Sequence, residues 1–155
     1  MITMTFAALL AASTAATPDT DTRRAHYHLE KAGLAIEGYD PVAYFPEGGG
    51  KPAKGKKTLE VEHLGVRYRF SSEANKKRFE DSPQKYEPAY GGWCAYAMGT
   101  SGDKVDVDPT SYEVHDGRLY LFYKSLFANT LKSWKPKRAE LKPKADAAWT
   151  KHLSS

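Results

Sequence analysis

Residues 59–70 read LEVEHLGVRYRF, and their reading decides the fold. Leu59 to Leu64 and Val66 to Phe70 alternate apolar and polar side chains, the two-residue period of a strand with one face on a core. Gly65 between them marks a tight turn, so the stretch predicts an antiparallel hairpin with Val66, Tyr68 and Phe70 on one face.

Downstream, Ser111 to His115 and Arg118 to Tyr123 flank Asp116-Gly117. That dipeptide tolerates the positive φ angles of a type I′ turn, and a second hairpin is expected there. Between the hairpins, Ser71-Ser72-Glu73-Ala74-Asn75 offers a hydroxyl cap and an early acid. These predict a short helix through Phe79, capped by Ser71 and ended or restarted at Pro83. Leu126, Leu131 and Trp134 fall at helical spacing, as do Ala145, Ala148, Trp149 and Leu153 in a segment starting near Pro143; both segments are expected to pack on the sheet. The predicted class is α+β: two antiparallel β-hairpins forming a small sheet, short covering helices and a C-terminal helix.

Upstream, GYDPVAYF at 38–45 predicts a turn at Asp40-Pro41 and a short buried run after it. Pro46 to Lys57, with Gly48-Gly49-Gly50 and interspersed lysines, reads as a surface loop. The glycine triplet lacks the strand-to-helix frame and the Gly-Lys-Ser/Thr ending of a phosphate loop. Residues 19–32 are polar and predict a linker or an N-terminal extension.

A chain of 155 residues suits one domain. Its aromatic residues concentrate between Tyr39 and Tyr123, which predicts an aromatic, central core. The formal charge of +4 is spread over Lys51 to Lys57 and Lys132 to Lys144. The aromatics alternate with apolar residues instead of lining a basic face, so no nucleic-acid partner is expected. The opening MITMTFAALLAASTAATPDT carries no charge before Asp19 and resembles the hydrophobic region and small-residue cleavage zone of a secretory signal, though without basic residues after Met1. The expected organisation is a signal peptide over 1–17, a linker or extension over 18–32 and the domain over 33–155, located in the periplasm or otherwise exported. No other run approaches the ~20 apolar residues of a membrane span, so none is expected in the mature chain.

The motifs GYDPVAYF at 38–45, YRFSSEANKKRF at 68–79, PQKYEPAYGGWCAYAMG at 83–99, DPTSY at 108–112 and DGRLYLFY at 116–123 together resemble the YHS-domain family in an exported, single-domain form. The resemblance runs from Gly38 to about Trp149. It implies a small binding module, and it relates the chain to TRASH-like domains that handle metals through cysteines. Laid residue by residue on this chain, those cysteines fall on Ala43, Ser71 and Asn75. With all three thiols replaced, no classical zinc site is expected, because alanine offers no donor and a neutral hydroxyl or amide is a poor ligand for a metal that prefers thiolate or imidazole.

The only cysteine, Cys94, follows Gly91-Gly92-Trp93 and stands four residues before Met98. A helical turn would place the two sulfurs on one face, and His115 on the second hairpin would add a nitrogen; copper(I) favours such a set. The ligand-pocket candidates are Cys94, Met98, Tyr90, Trp93 and His115, with Cys94, Met98 and His115 as the metal candidates. Two further readings stand beside copper: a cysteine buried as a small apolar residue with methionine as filler, and a redox thiol with a lowered pKa. Cys94 with His63 or His115 is the nearest approach to a nucleophile and base, but no motif supplies an oxyanion hole. The chain is therefore read as a non-catalytic binding module of unknown ligand and partner, with a thiol-dependent redox protein and a partner-binding structural domain as alternatives.

Two weaker patterns remain. Asp103, Asp106 and Asp108 lack the glycine and the far glutamate of a calcium loop and read as a solvated loop. His26 and His28 form either a metal-binding pair on one face of a strand or an exposed pair in a flexible segment. The tyrosines 39, 44, 68, 86, 90, 112 and 120, with Trp93, line a pocket or fill the core; packing is the expectation.

Overall fold

The computed structural model describes residues 16–155. Most of the expected signal segment, residues 1–15, lies outside them. The first hairpin pairs β1 (Lys56–His63) with β2 (Val66–Phe70), His63 opposite Val66 and Glu60 opposite Arg69, with an irregularity between Lys56 and Glu60. Val66, Tyr68 and Phe70 all face inward and are fully buried, as the alternation requires. The turn places Leu64 and Gly65 at φ 47° and 86°, the left-handed pair of a two-residue hairpin loop. A non-glycine residue is unusual there, and the Leu64 carbonyl is held by the Nε of Arg23 at 3.0 Å.

Arg23 comes from α1 (Thr20–His26), inside the segment expected as a linker or extension. Asp19 caps this helix, its carboxylate accepting from the Thr22 amide at 2.9 Å. The helix lies against the turn: a Cβ on Gly65 would sit 2.6 Å from Cγ2 of Thr20.

The second hairpin pairs β3 (Asp108–His115) with β4 (Arg118–Phe122) through Asp116 and Gly117, at φ 49° and 74°. The two hairpins form separate two-stranded sheets, not one small sheet. β4 does not alternate. Leu119 and Leu121 enter a core built on β2, Tyr44, Phe45 and Phe79, whereas Tyr120 and Phe122 enter a second core with Tyr90, Met98, Trp134 and Leu141. A strand buried on both faces reads as a continuous apolar run.

Between the hairpins lie α2 (Glu73–Asp81), α3 (Pro83–Tyr86) and α4 (Ala95–Thr100). The cap of α2 is Ser72, whose Oγ accepts from the Asn75 amide at 3.1 Å, and not Ser71. Phe79 from α2 packs between Tyr68 and Phe70, with ring centroids 4.9 and 5.2 Å away. The chain ends in α5 (Thr130–Trp134) and α6 (Arg138–Leu153). Leu126, expected in the first of these helices, lies before it in an exposed loop. α6 begins five residues before Pro143, which stands inside it and leaves one intrahelical bond unmade. The last helix packs chiefly on α4 rather than on a sheet; a Cβ on Gly99 would stand 2.9 Å from the Leu141 carbonyl, so only glycine admits this approach. Among the described residues, no helix is long and apolar enough to cross a membrane.

Candidate functional site

The five candidate residues do not form one site. Cys94 is fully buried at the start of α4, and its Sγ accepts from the Tyr123 amide at 3.3 Å and lies 3.4 Å from the Thr130 hydroxyl. Met98 is bonded through its amide to the Cys94 carbonyl at 3.0 Å, yet its side chain belongs to the second core and that of Cys94 to the first. His115 lies at the opposite end of the hairpin, facing Arg118, with Nε2 3.4 Å from Asp116. The rise along β4 puts it about 16 Å from the Cys94 end, too far to share one ion. Among the described residues, no group of three or more histidine, cysteine or acidic side chains is arranged to hold a metal. Trp93 packs on His28, centroids 4.3 Å apart, and donates its indole N–H to the His26 carbonyl at 2.7 Å.

The two histidines of that segment face different partners. His26 Nδ1 lies 2.9 Å from Lys104 Nζ, and His28 Nε2 lies 2.9 Å from Asp106. Asp108 is committed to a local turn, accepting from the amide and hydroxyl of Thr110 at 2.9 and 2.7 Å. These hydrogen bonds hold its carboxyl below the usual range.

The structure gathers Ala43, Ser71 and Asn75 around Asp40, a carboxylate with no solvent exposure. Its Oδ1 accepts from the amides of Val42 and Ala43 at 2.8 and 3.2 Å. Its Oδ2 accepts from the amide and hydroxyl of Ser71 at 2.8 and 2.7 Å and from the Asn75 side-chain amide at 2.9 Å. A buried charge is tolerable only when its lone pairs are filled, and the Asp-Pro turn supplies the first donors. The result is a hydrogen-bonded junction of the 38–45 turn, β2 and α2.

Tyr90 leads to a different location. A solvent-open cleft of about 690 Å³ lies between α1, the end of α3 and α6, lined by Arg23, Tyr27, Glu87, Tyr90, Arg118 and Trp149 among others. Tyr27 and Trp149 form an aromatic corner, centroids 5.6 Å apart. Tyr90 and Gly91 both take left-handed backbone angles, φ 59° and 60°. Trp149 covers Gly91 so closely that a Cβ there would lie 2.7 Å from Cη2 of the indole. Tyr90 donates its hydroxyl to Asp146 at 2.9 Å, and burial with that carboxylate pushes its pKa up.

At the floor, Arg23 donates to Glu87 at 2.6 Å, to the Tyr27 hydroxyl at 2.8 Å and to the carbonyl of His63 at 3.4 Å. Tyr68 donates to the same Glu87 oxygen at 2.6 Å. Burial opposes the charge on Arg23, but the Glu87 carboxylate outweighs it and raises the guanidinium pKa. Burial, reinforced by Glu87, holds the Tyr68 proton well above the ordinary phenol range and also raises that of Tyr27. His63 Nε2 is buried without a hydrogen-bond partner, 3.8 Å from Glu87 Oε1. Its pKa is lowered by desolvation, with Arg23 adding to the effect and Glu87 opposing it.

Arg23, Tyr27, Glu87, Arg118 and Trp149 were not among the sequence candidates. Asp19 followed by Asp21 is a helix-start signal that would have placed Arg23 on α1 and Tyr27, four residues on, at its C-terminal end. No local signal joins Arg23 to a glutamate 64 residues away.

Comparison with family models, with curated proteins and with solved structures gave no match for this chain.

Proposed function

We propose that this chain is an exported, non-catalytic binding module of the YHS type, whose ligand is a small organic molecule with a flat apolar body and an anionic group. The observation that carries the reading is the cleft: an aromatic corner of Tyr27 and Trp149 stands beside the half-exposed guanidinium of Arg118. Arg118 has a distant ion pair, 3.7 Å to Asp146, and packs over the rings of Tyr90 and Tyr120. Its remaining donors suit a carboxylate or phosphate. Glu87 adds little opposing charge, because Arg23 neutralises it. The YHS reading is supported by the meeting of Ala43, Ser71 and Asn75 on Asp40, since the positions assigned to the family's metal cysteines are neighbours in space. The floor of the cleft is held by the Arg23–Glu87 ion pair, and burial raises the pKa values of the Tyr27 and Tyr90 phenols beside it.

The test is titration with a panel of aromatic carboxylates, including 4-hydroxybenzoate, followed by amide NMR shifts. Saturable shifts at Tyr27, Gly91 and the Trp149 indole are expected, with at least tenfold weaker binding in Arg118→Ala. Absence of saturable shifts across the panel, or shifts confined to another surface, would overturn the reading.

A further inference from the structure

Leu126 and Phe127 are 92% and 95% exposed, side by side at the end of the loop joining β4 to α5. Large apolar residues so fully in water are costly, and a pair at one tip asks for a partner phase. The loop does not collapse to hide them because its own bonds hold it open. Lys124 and Asn129 bridge across its base, Ser125 donates its amide to the Ala128 carbonyl at 2.7 Å, and Phe127 donates its amide to the Ser125 hydroxyl at 3.3 Å. Below, the Thr130 amide and hydroxyl each reach the Tyr123 carbonyl at 3.0 Å. The buried Cys94 sulfur receives the Tyr123 amide. The tip is a preformed projection.

We propose that this loop is a peripheral docking tip for an anionic phospholipid surface, with Leu126 and Phe127 entering the headgroup and acyl boundary. A projection of two side chains lacks the area of roughly 800 Å² per side that a stable protein–protein interface uses, whereas a bilayer accepts a convex wedge. The surroundings suit such a surface. Lys124 at the loop base is exposed, as are Lys132, Lys135 and Lys137 in the segment that follows in sequence, and Asp108 is close enough to Lys124 to feel its charge. Exposed lysines beside an apolar tip draw it to anionic headgroups. Tyr123, 38% exposed at the foot of the loop, has the amphipathic character of an interfacial residue. This inference is independent of the cleft.

The experiment uses the full chain carrying Phe127→Trp, with the unsubstituted chain as the fluorescence blank for Trp93, Trp134 and Trp149. With vesicles of phosphatidylcholine containing phosphatidylglycerol, the new emission shifts to the blue and is quenched by brominated acyl chains; with pure phosphatidylcholine the effect is at least tenfold smaller. Co-sedimentation falls at least tenfold in Leu126→Ser/Phe127→Ser and roughly fivefold per charge in Lys124→Glu and Lys132→Glu. These positions are exposed, and unchanged melting temperatures verify folding. Vesicle binding without a blue shift would locate the contact elsewhere and overturn the proposal, as would equal partition of the Leu126→Ser/Phe127→Ser variant. A dimer that this double variant converts to a monomer would make the tip an interface between copies and likewise overturn it.

Discussion

The Oδ2 atom of Asp40 holds Ser71 twice, through its amide at 2.8 Å and its hydroxyl at 2.7 Å, across 31 residues of chain. The contact ties the Asp-Pro turn to the end of β2. Asp40→Ala removes a buried acceptor from several donors at once and leaves the amides of Val42 and Ser71 unpaired, while the Ala43 amide keeps the Asp40 backbone carbonyl at 3.2 Å. A loss of about 3 kcal/mol is expected, read from the urea midpoint at constant m-value. Ser71→Ala loses one of these bonds, about 1 kcal/mol.

Cys94 is enclosed and accepts a backbone N–H. Reaction of the native chain with a disulfide reagent is expected to be slow and to accelerate sharply in denaturing urea. Rapid native labelling would instead favour the redox reading. Cys94→Ala is expected to cost about 1 to 2 kcal/mol, from the lost packing and the unpaired Tyr123 amide.

Arg23 is 2% exposed and its partner Glu87 11%. Removing only one member of such a pair strands the other, so Arg23→Met is expected to lose about 3 kcal/mol. Replacing both, as Arg23→Met with Glu87→Gln, is expected to recover part of that loss. A double-mutant cycle on chemical denaturation measures the coupling.

His63 gives the fold a pH dependence. Its folded-state pKa lies below that of an unfolded histidine, chiefly because its ring is desolvated. The unfolded chain therefore binds more protons, and stability is full above the unfolded pKa of about 6.5 and declines as the pH falls toward the folded value. Urea midpoints taken between about pH 7.5 and 5 should show this decline in the native chain and a shallower one in His63→Phe. Equal slopes in the two proteins would exclude His63 as the source.

Gly91→Ala is expected to be destabilising by about 1 to 3 kcal/mol, since a side chain must accept φ 60° and displace Trp149. A shifted Trp149 indole resonance would report the displacement of the cleft wall.

Both hairpins were legible because their information is local: alternation over Val66 to Phe70 and the paired turn residues at 116 and 117 state the register without reference to the rest of the chain. Local reading failed where two options differ only by tertiary contact. Ser71 and Ser72 are equivalent as helix caps until Asp40 takes the first of them. Leu126 has the spacing of a helical face with Leu131 and Trp134, but the bonds around Tyr123 and Thr130 break the periodicity before it starts. The Cys94 and Met98 side chains separate because two cores meet at α4, and neither core is visible in a sulfur spacing. The cleft was the least legible feature. Its lining spans residues 16–154 and owes its shape to packing between the two ends of the chain.

β4 is a partition wall with a core on each side, Leu119 and Leu121 facing one and Tyr120 and Phe122 the other. Melting either half would therefore expose a strand on which the other half depends. The two cores share one fate: the domain is expected to unfold as one cooperative unit, and a fragment ending on either side of β4 would carry half a boundary and no finished interior.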